Sequence, residues 1–128
     1  MGKLETPMIR EYWKQVGGTL IEEFPATKKT PKSEIRRIDA LILPNGPHKI
    51  VHWRDVNLEG QDVLVIQCKA HRLGMHLMGQ TVFSLELIRA FKPKSVHAVA
   101  LCRKTDSALE PLLDDYPDVE VVVISPGS

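Results

Sequence analysis

Residues 35–43 read IRRIDALIL and residues 63–70 read VLVIQCKA, and these two runs decide the fold. The second is apolar on both faces for its first four residues, the pattern of a central strand buried on both sides. The first is a strand closed by Pro44-Asn45-Gly46-Pro47, a dense turn signal. Working upstream, TLIEEF at 19–24 reads as a short strand, and PATKKTPKSE at 25–34 is a polar loop with two prolines and no hydrophobic period. Before it, Thr6 can cap a helix with Pro7 at its first position; Met8, Ile9, Trp13 and Val16 then recur at helical spacing until Gly17-Gly18, which predicts a helix over 7–17. Working downstream, 49–53 is a candidate short strand and 57–62 a polar turn. Leu77, Met78, Val82, Leu85, Leu87, Ile88 and Phe91 then predict a helix over 75–91, ended by Pro93. SVHAVALC at 95–102 is a strand, DSALEPLLDDY at 106–116 a short helix, and VEVVVI at 119–124 a last strand. This order argues for an α/β fold with helices covering a sheet, in a single domain over 1–128.

Composition narrows the class. The 128 residues are 43% hydrophobic and 26% charged, ordinary values for a globular protein. No apolar run approaches the roughly 18 residues that a membrane span needs, so a membrane partner is not expected. The first residues, MGKLETPMIR, lack the apolar segment of a secretory signal. Cys68 and Cys102 lie apart within apolar runs, so a reducing, intracellular and cytoplasmic setting is expected. The net charge of +1 hides an asymmetry: residues 1–104 hold 17 basic and 10 acidic side chains, whereas residues 105–128 hold none and six. A basic body with an acidic end is compatible with a polyanionic partner.

Gln67 and Lys69 are two apart in one strand, so they share a face at its carboxyl end, where open α/β sheets place their ligand crevices. Asp39 is the second unusual feature. A carboxylate inside an apolar strand requires a partner, either a metal ion or a neighbouring arginine such as Arg36 or Arg37. Lys28, Lys29, Lys32, Arg36 and Arg37 precede Asp39 as a cationic segment suited to phosphate binding, and His71 and Arg72 follow the second run. The five histidines form no HExxH or zinc spacing, and neither a P-loop nor GxGxxG is present. Cys68 points away from Gln67 and Lys69, as a core residue does.

The series RRIDALIL, VLVIQCKA and a helix containing GQTVFS resembles the core of the PD-(D/E)XK nuclease superfamily. The resemblance covers about residues 5–102, where the element order is similar to that family's α-β-β-β-α-β core. It implies a restriction-endonuclease-like central mixed β-sheet. Asp39 matches the family's strand aspartate and Lys69 its lysine. Gln67 stands where the family has an acidic residue, and Ile38 where it has proline. The resemblance implies a metal-dependent endonuclease that hydrolyses DNA phosphodiesters. Its Mg²⁺ or Mn²⁺ would be held by Asp39, the Gln67 amide oxygen, the Cys68 main-chain carbonyl and a helix-one glutamate, with Lys69 beside the attacking water. Glu5 is preferred for that glutamate, with Glu11 in reserve and Glu22 and Glu23 behind it. Gln80 resembles the glutamine that RecB-like members place near DNA. The small size implies a homodimer or a larger DNA-processing complex. The neutral Gln67 keeps open a catalytically inactive domain of the same fold that binds DNA or a protein partner, and a structural network of Asp39, Gln67 and Lys69 is a third reading.

Overall fold

The apolar runs become the strands of one five-stranded sheet in a computed structural model that describes residues 2–125. Helix α1 (Glu5–Val16) leads into β1 (Thr19–Pro25) and β2 (Arg37–Leu43); β3 (Asp62–Cys68), α2 (Met75–Arg89), β4 (Ser95–Cys102) and β5 (Val119–Val123) follow. The strands lie in the order β1-β2-β3-β4-β5. β1, β2 and β3 pair antiparallel, whereas β3, β4 and β5 pair parallel, so the sheet is mixed. A parallel pair needs a long crossover, and α2 supplies the one between β3 and β4.

The helices cover opposite faces. On one, Met8, Ile9 and Tyr12 of α1 pack against Leu20, Ile42, Ile66 and Leu101. On the other, Leu85 and Ile88 of α2 pack against Ile21, Leu41, Val65 and Ala98. Burying each such aliphatic side chain contributes about 1.5–3 kcal/mol, which holds both helices to the sheet. Among the described residues, no helix is long and apolar enough to cross a membrane.

Three elements differ from expectation. Helix α1 starts at Glu5, with Leu4 rather than Thr6 at the cap; Pro7 falls within the first turn, where its missing N–H has no intrahelical acceptor to lose. Residues 49–53 do not form a strand: Leu20 bonds Lys49 and Val51 through the backbone, and a 3-10 turn follows at Trp53–Asp55. In place of an α-helix over 106–116 there is a 3-10 helix at Glu110–Asp115, with Pro111 near its start. The β1–β2 ladder also carries a distortion at Glu23, whose φ of +51° is left-handed. Around it Ile21 and Phe24, three residues apart, reach the same core, as do Ile38 and Leu41 on β2. Regular two-residue alternation is therefore broken on both strands beside Asp39.

Candidate active site

The site forms where β2 and β3 part. Their main-chain register runs from Ile42–Leu64 to Ala40–Ile66 and stops there. Beyond it, side chains take over the pairing. The Cys68 N–H donates to Asp39 Oδ2 at 2.8 Å, and the Asp39 N–H donates to Gln67 Oε1 at 3.4 Å. Gln67 is buried, and its Nε2 donates to Ser84 Oγ at 2.7 Å; Ser84 in turn donates to the Gln80 carbonyl at 2.6 Å. A continuous chain thus ties Asp39 on β2, through Gln67 on β3, to α2. Glu5, at the start of α1, reaches the same end of the sheet, where its Oε2 accepts from the Ala70 N–H at 3.2 Å. Lys69 is exposed just past β3, with its N–H bonded to the Leu101 carbonyl.

Electrostatics distinguish Asp39. Burial holds its pKa above the usual carboxylate value; the Cys68 N–H and the Lys69 charge pull it down, and the Glu5 charge raises it further. Glu5, Asp39 and Lys69 therefore share one field. Cys68 is fully buried, its thiol pushed up to about 12 by burial with Asp39 and Glu5 adding to the effect, and its Sγ lies 3.9 Å from Met8 Sδ. Such a thiol is a packing residue at neutral pH.

Among the described residues no cluster of three or more His, Cys, Asp or Glu side chains could hold a metal ion. The oxygen donors at the fork still fit a hard cation. Asp39 is a hard oxygen donor whose pKa is raised by burial and, to a lesser degree, by the Glu5 charge, and a cation beside it would offset both effects. Mg²⁺ commonly uses one or two carboxylates and completes its shell with water and substrate phosphate. In an extended strand a residue's N–H and C=O point to the same side, so the Cys68 carbonyl lies on the side of β3 from which its N–H meets Asp39.

Arg36 and Arg37 line a cleft of about 740 Å³ that also takes in Gln67, Gln80 and Ser84. Among the described residues neither arginine pairs with Asp39, so the arginine salt bridge, one of the two partners the sequence offered, is not formed. Lys28, Lys29 and Lys32 are exposed on the β1–β2 connection. Arg72 lies outside the cleft, bridged to Lys104. Glu11 lines a separate cavity with Arg103, and Glu22 accepts a hydrogen bond from Arg10 at 2.9 Å, so neither joins the fork. Sequence reading passed over Phe83 and Met75, which line the cleft and are 69% and 77% exposed. The available signal was an aromatic residue off the buried period of α2. Compared with family models, with curated proteins and with solved structures, the chain matches none.

Proposed function

We propose that this protein is a divalent-metal-dependent nuclease acting on DNA phosphodiesters, with a restriction-endonuclease-like core. The observation that carries the reading is the meeting of Asp39 and Gln67 at one fork of the sheet, within the field of Glu5 and Lys69. The resemblance of these segments to PD-(D/E)XK nucleases, and the antiparallel-then-parallel order of β1 to β4, support it further. Asp39, Glu5, the Gln67 amide oxygen and the Cys68 carbonyl would hold Mg²⁺ or Mn²⁺, which when bound supplies Lewis-acid stabilisation of the phosphate. Lys69 orients the attacking water and offsets the charge that builds on the phosphate oxygens. The Cys68 N–H fixes one Asp39 oxygen and leaves the other, among the described residues, without a donor. Ser84 holds the Gln67 amide in place. Exposed cations on the β1–β2 connection bind phosphates of the strand, and a second copy or a larger assembly would extend that small footprint.

One observation favours a second reading, an inactive domain of this fold that binds DNA or a protein partner. Gln67 is neutral, and both ends of its amide are already engaged. Calorimetric titration of Mn²⁺ into the parent, Asp39→Ala and Gln67→Glu separates the two. A nuclease binds Mn²⁺ as the parent, loses it in Asp39→Ala and tightens in Gln67→Glu; binding by Gln67→Glu alone identifies the inactive domain. In a plasmid assay with Mn²⁺, Lys69→Ala should stay folded by circular dichroism and lose roughly a hundredfold in cleavage. Undiminished cleavage by that variant would remove Lys69 from the mechanism.

A further inference from the structure

We infer that the cleft between the start of β2 and the exposed face of α2 takes unpaired nucleotides, so that the substrate is single-stranded DNA rather than an intact duplex. The inference rests on the reading that the fork at Asp39 acts on DNA, because Gln67 belongs both to that fork and to the cleft wall. Three features of the cleft point to a base and its phosphate. Phe83 presents an aromatic ring that is 69% exposed, on a helix whose buried face is already filled by Leu77, Thr81, Ser84, Leu85 and Ile88. Arg36 and Arg37 stand on the same cleft, and among the described residues neither forms an ion pair. The one carboxylate in the lining, Glu86, is paired with Arg89, which leaves the arginine charge uncompensated toward a phosphate.

An aromatic face beside unpaired cations is how proteins hold single strands without sequence preference: bases stack on the ring while cations track the backbone. A duplex hides its base faces, so Phe83 can reward only a strand whose bases are free. At about 740 Å³ the cleft falls in the range of ligand sites and has room for a base with its sugar and phosphate. Gln80, on its rim, adds an amide that can meet a base edge.

The test is fluorescence anisotropy in EDTA, where nothing is cut, with fluorescein-labelled dT12 and a twelve-base-pair duplex as probes. Phe83→Ala should weaken dT12 binding about tenfold, leave the duplex unchanged and keep the parent's salt slope, with Phe83→Trp restoring the affinity. Arg36→Ala with Arg37→Ala should make the dT12 slope of log K against log salt shallower by about 0.7 for each phosphate that the arginines neutralise. Equal losses for both probes, or no loss for either, would overturn the assignment. So would sedimentation showing a dimer that Phe83→Ala dissociates without changing dT12 binding, since a second copy would then cover the ring. Mn²⁺ titration keeps the two readings apart: if Asp39→Ala and the parent behave alike with metal while Phe83→Ala loses dT12, the cleft binds strands and the metal-dependent reading fails.

Discussion

Asp39 is held in its ionised form at a cost, and the sign of that cost can be worked out. Burial is the main cause of its raised pKa, ahead of the opposing Cys68 N–H. A carboxyl whose folded pKa is raised favours folding below its ordinary value of 3.8, and that advantage is lost as pH rises through the folded pKa. Asp39→Asn keeps an oxygen for the Cys68 N–H and removes the charge. In EDTA the variant should melt within error of the parent near pH 4 and higher than the parent at pH 7, with the gap opening as pH rises. A melting difference that shrinks toward neutral pH would show that the ionised carboxylate is the better-satisfied form. At this scale much of the site was legible. Asp39 announced itself as a charge among Ile38, Ala40 and Leu41, and Gln67 as a polar residue ending an apolar run. What the sequence could not show is that the two answer each other across the strands, because side chains replacing ladder bonds depend on where the ladder stops.

At the scale of elements, the position of Glu5 depends on how α1 is tied to the sheet. Trp13 Nε1 donates to the Gly18 carbonyl at 2.7 Å, and Gly18 takes a φ of +78° where α1 turns into β1. A Cβ on Gly18 would run into the Leu43 carbonyl and lie 2.8 Å from Pro44 Cα, both rigid backbone. Gly18→Ala should therefore destabilise by about 2 kcal/mol or more, combining left-handed strain with a clash that cannot relax locally. Urea denaturation checks it; a loss below about 0.5 kcal/mol, the level of an ordinary surface change, would mean that the α1–β1 junction gives way. Gly17, which shares the positive φ at +82° but has open space around its Cβ position, is the control that separates backbone strain from the clash. The strands were readable because 37–43, 62–68 and 95–102 are short, mostly apolar runs bounded by turn residues, the mark of strands buried on both faces. The distortion at Glu23 was not, since nothing in TLIEEF marks a glutamate for a left-handed backbone. The 3-10 helix after β4 was misjudged for a related reason: DSALEPLLDDY has helical apolar spacing, but Pro111 sits where a longer α-helix would need its N–H.

Across the whole molecule, charge is sorted by the order of the strands. Lys28, Lys29, Lys32 and Arg36 lie on the connection from β1 to β2, with Arg37 opening β2, at one edge, whereas Asp114, Asp115, Asp118 and Glu120 lie beside or on β5 at the other. A near-neutral protein thus presents a group of exposed cations at one edge and a group of carboxylates at the other, and the cations draw a polyanion toward the β1–β2 edge. Two sets of variants separate this sorting of charge from net charge. Replacing Lys28, Lys29 and Lys32 with alanine removes three positive charges from the approaching edge; replacing Asp114 and Asp115 with asparagine removes two negative charges from the far one. If the lysines meet phosphates, the triple variant should weaken binding to single strands of any sequence and make its salt dependence shallower by about 0.7 for each phosphate they neutralise, up to about 2.1 in all. The far-edge variant should leave that slope at the parent's value, because counterion release follows the phosphates neutralised at the surface of binding and not distant charges. Anisotropy titrations at several salt concentrations, with metal chelated, measure both slopes. An unchanged slope in the lysine variant would place the DNA-facing surface on another side of the sheet, and a slope that moves in the aspartate variant would mean that the acidic edge itself lies against the nucleic acid.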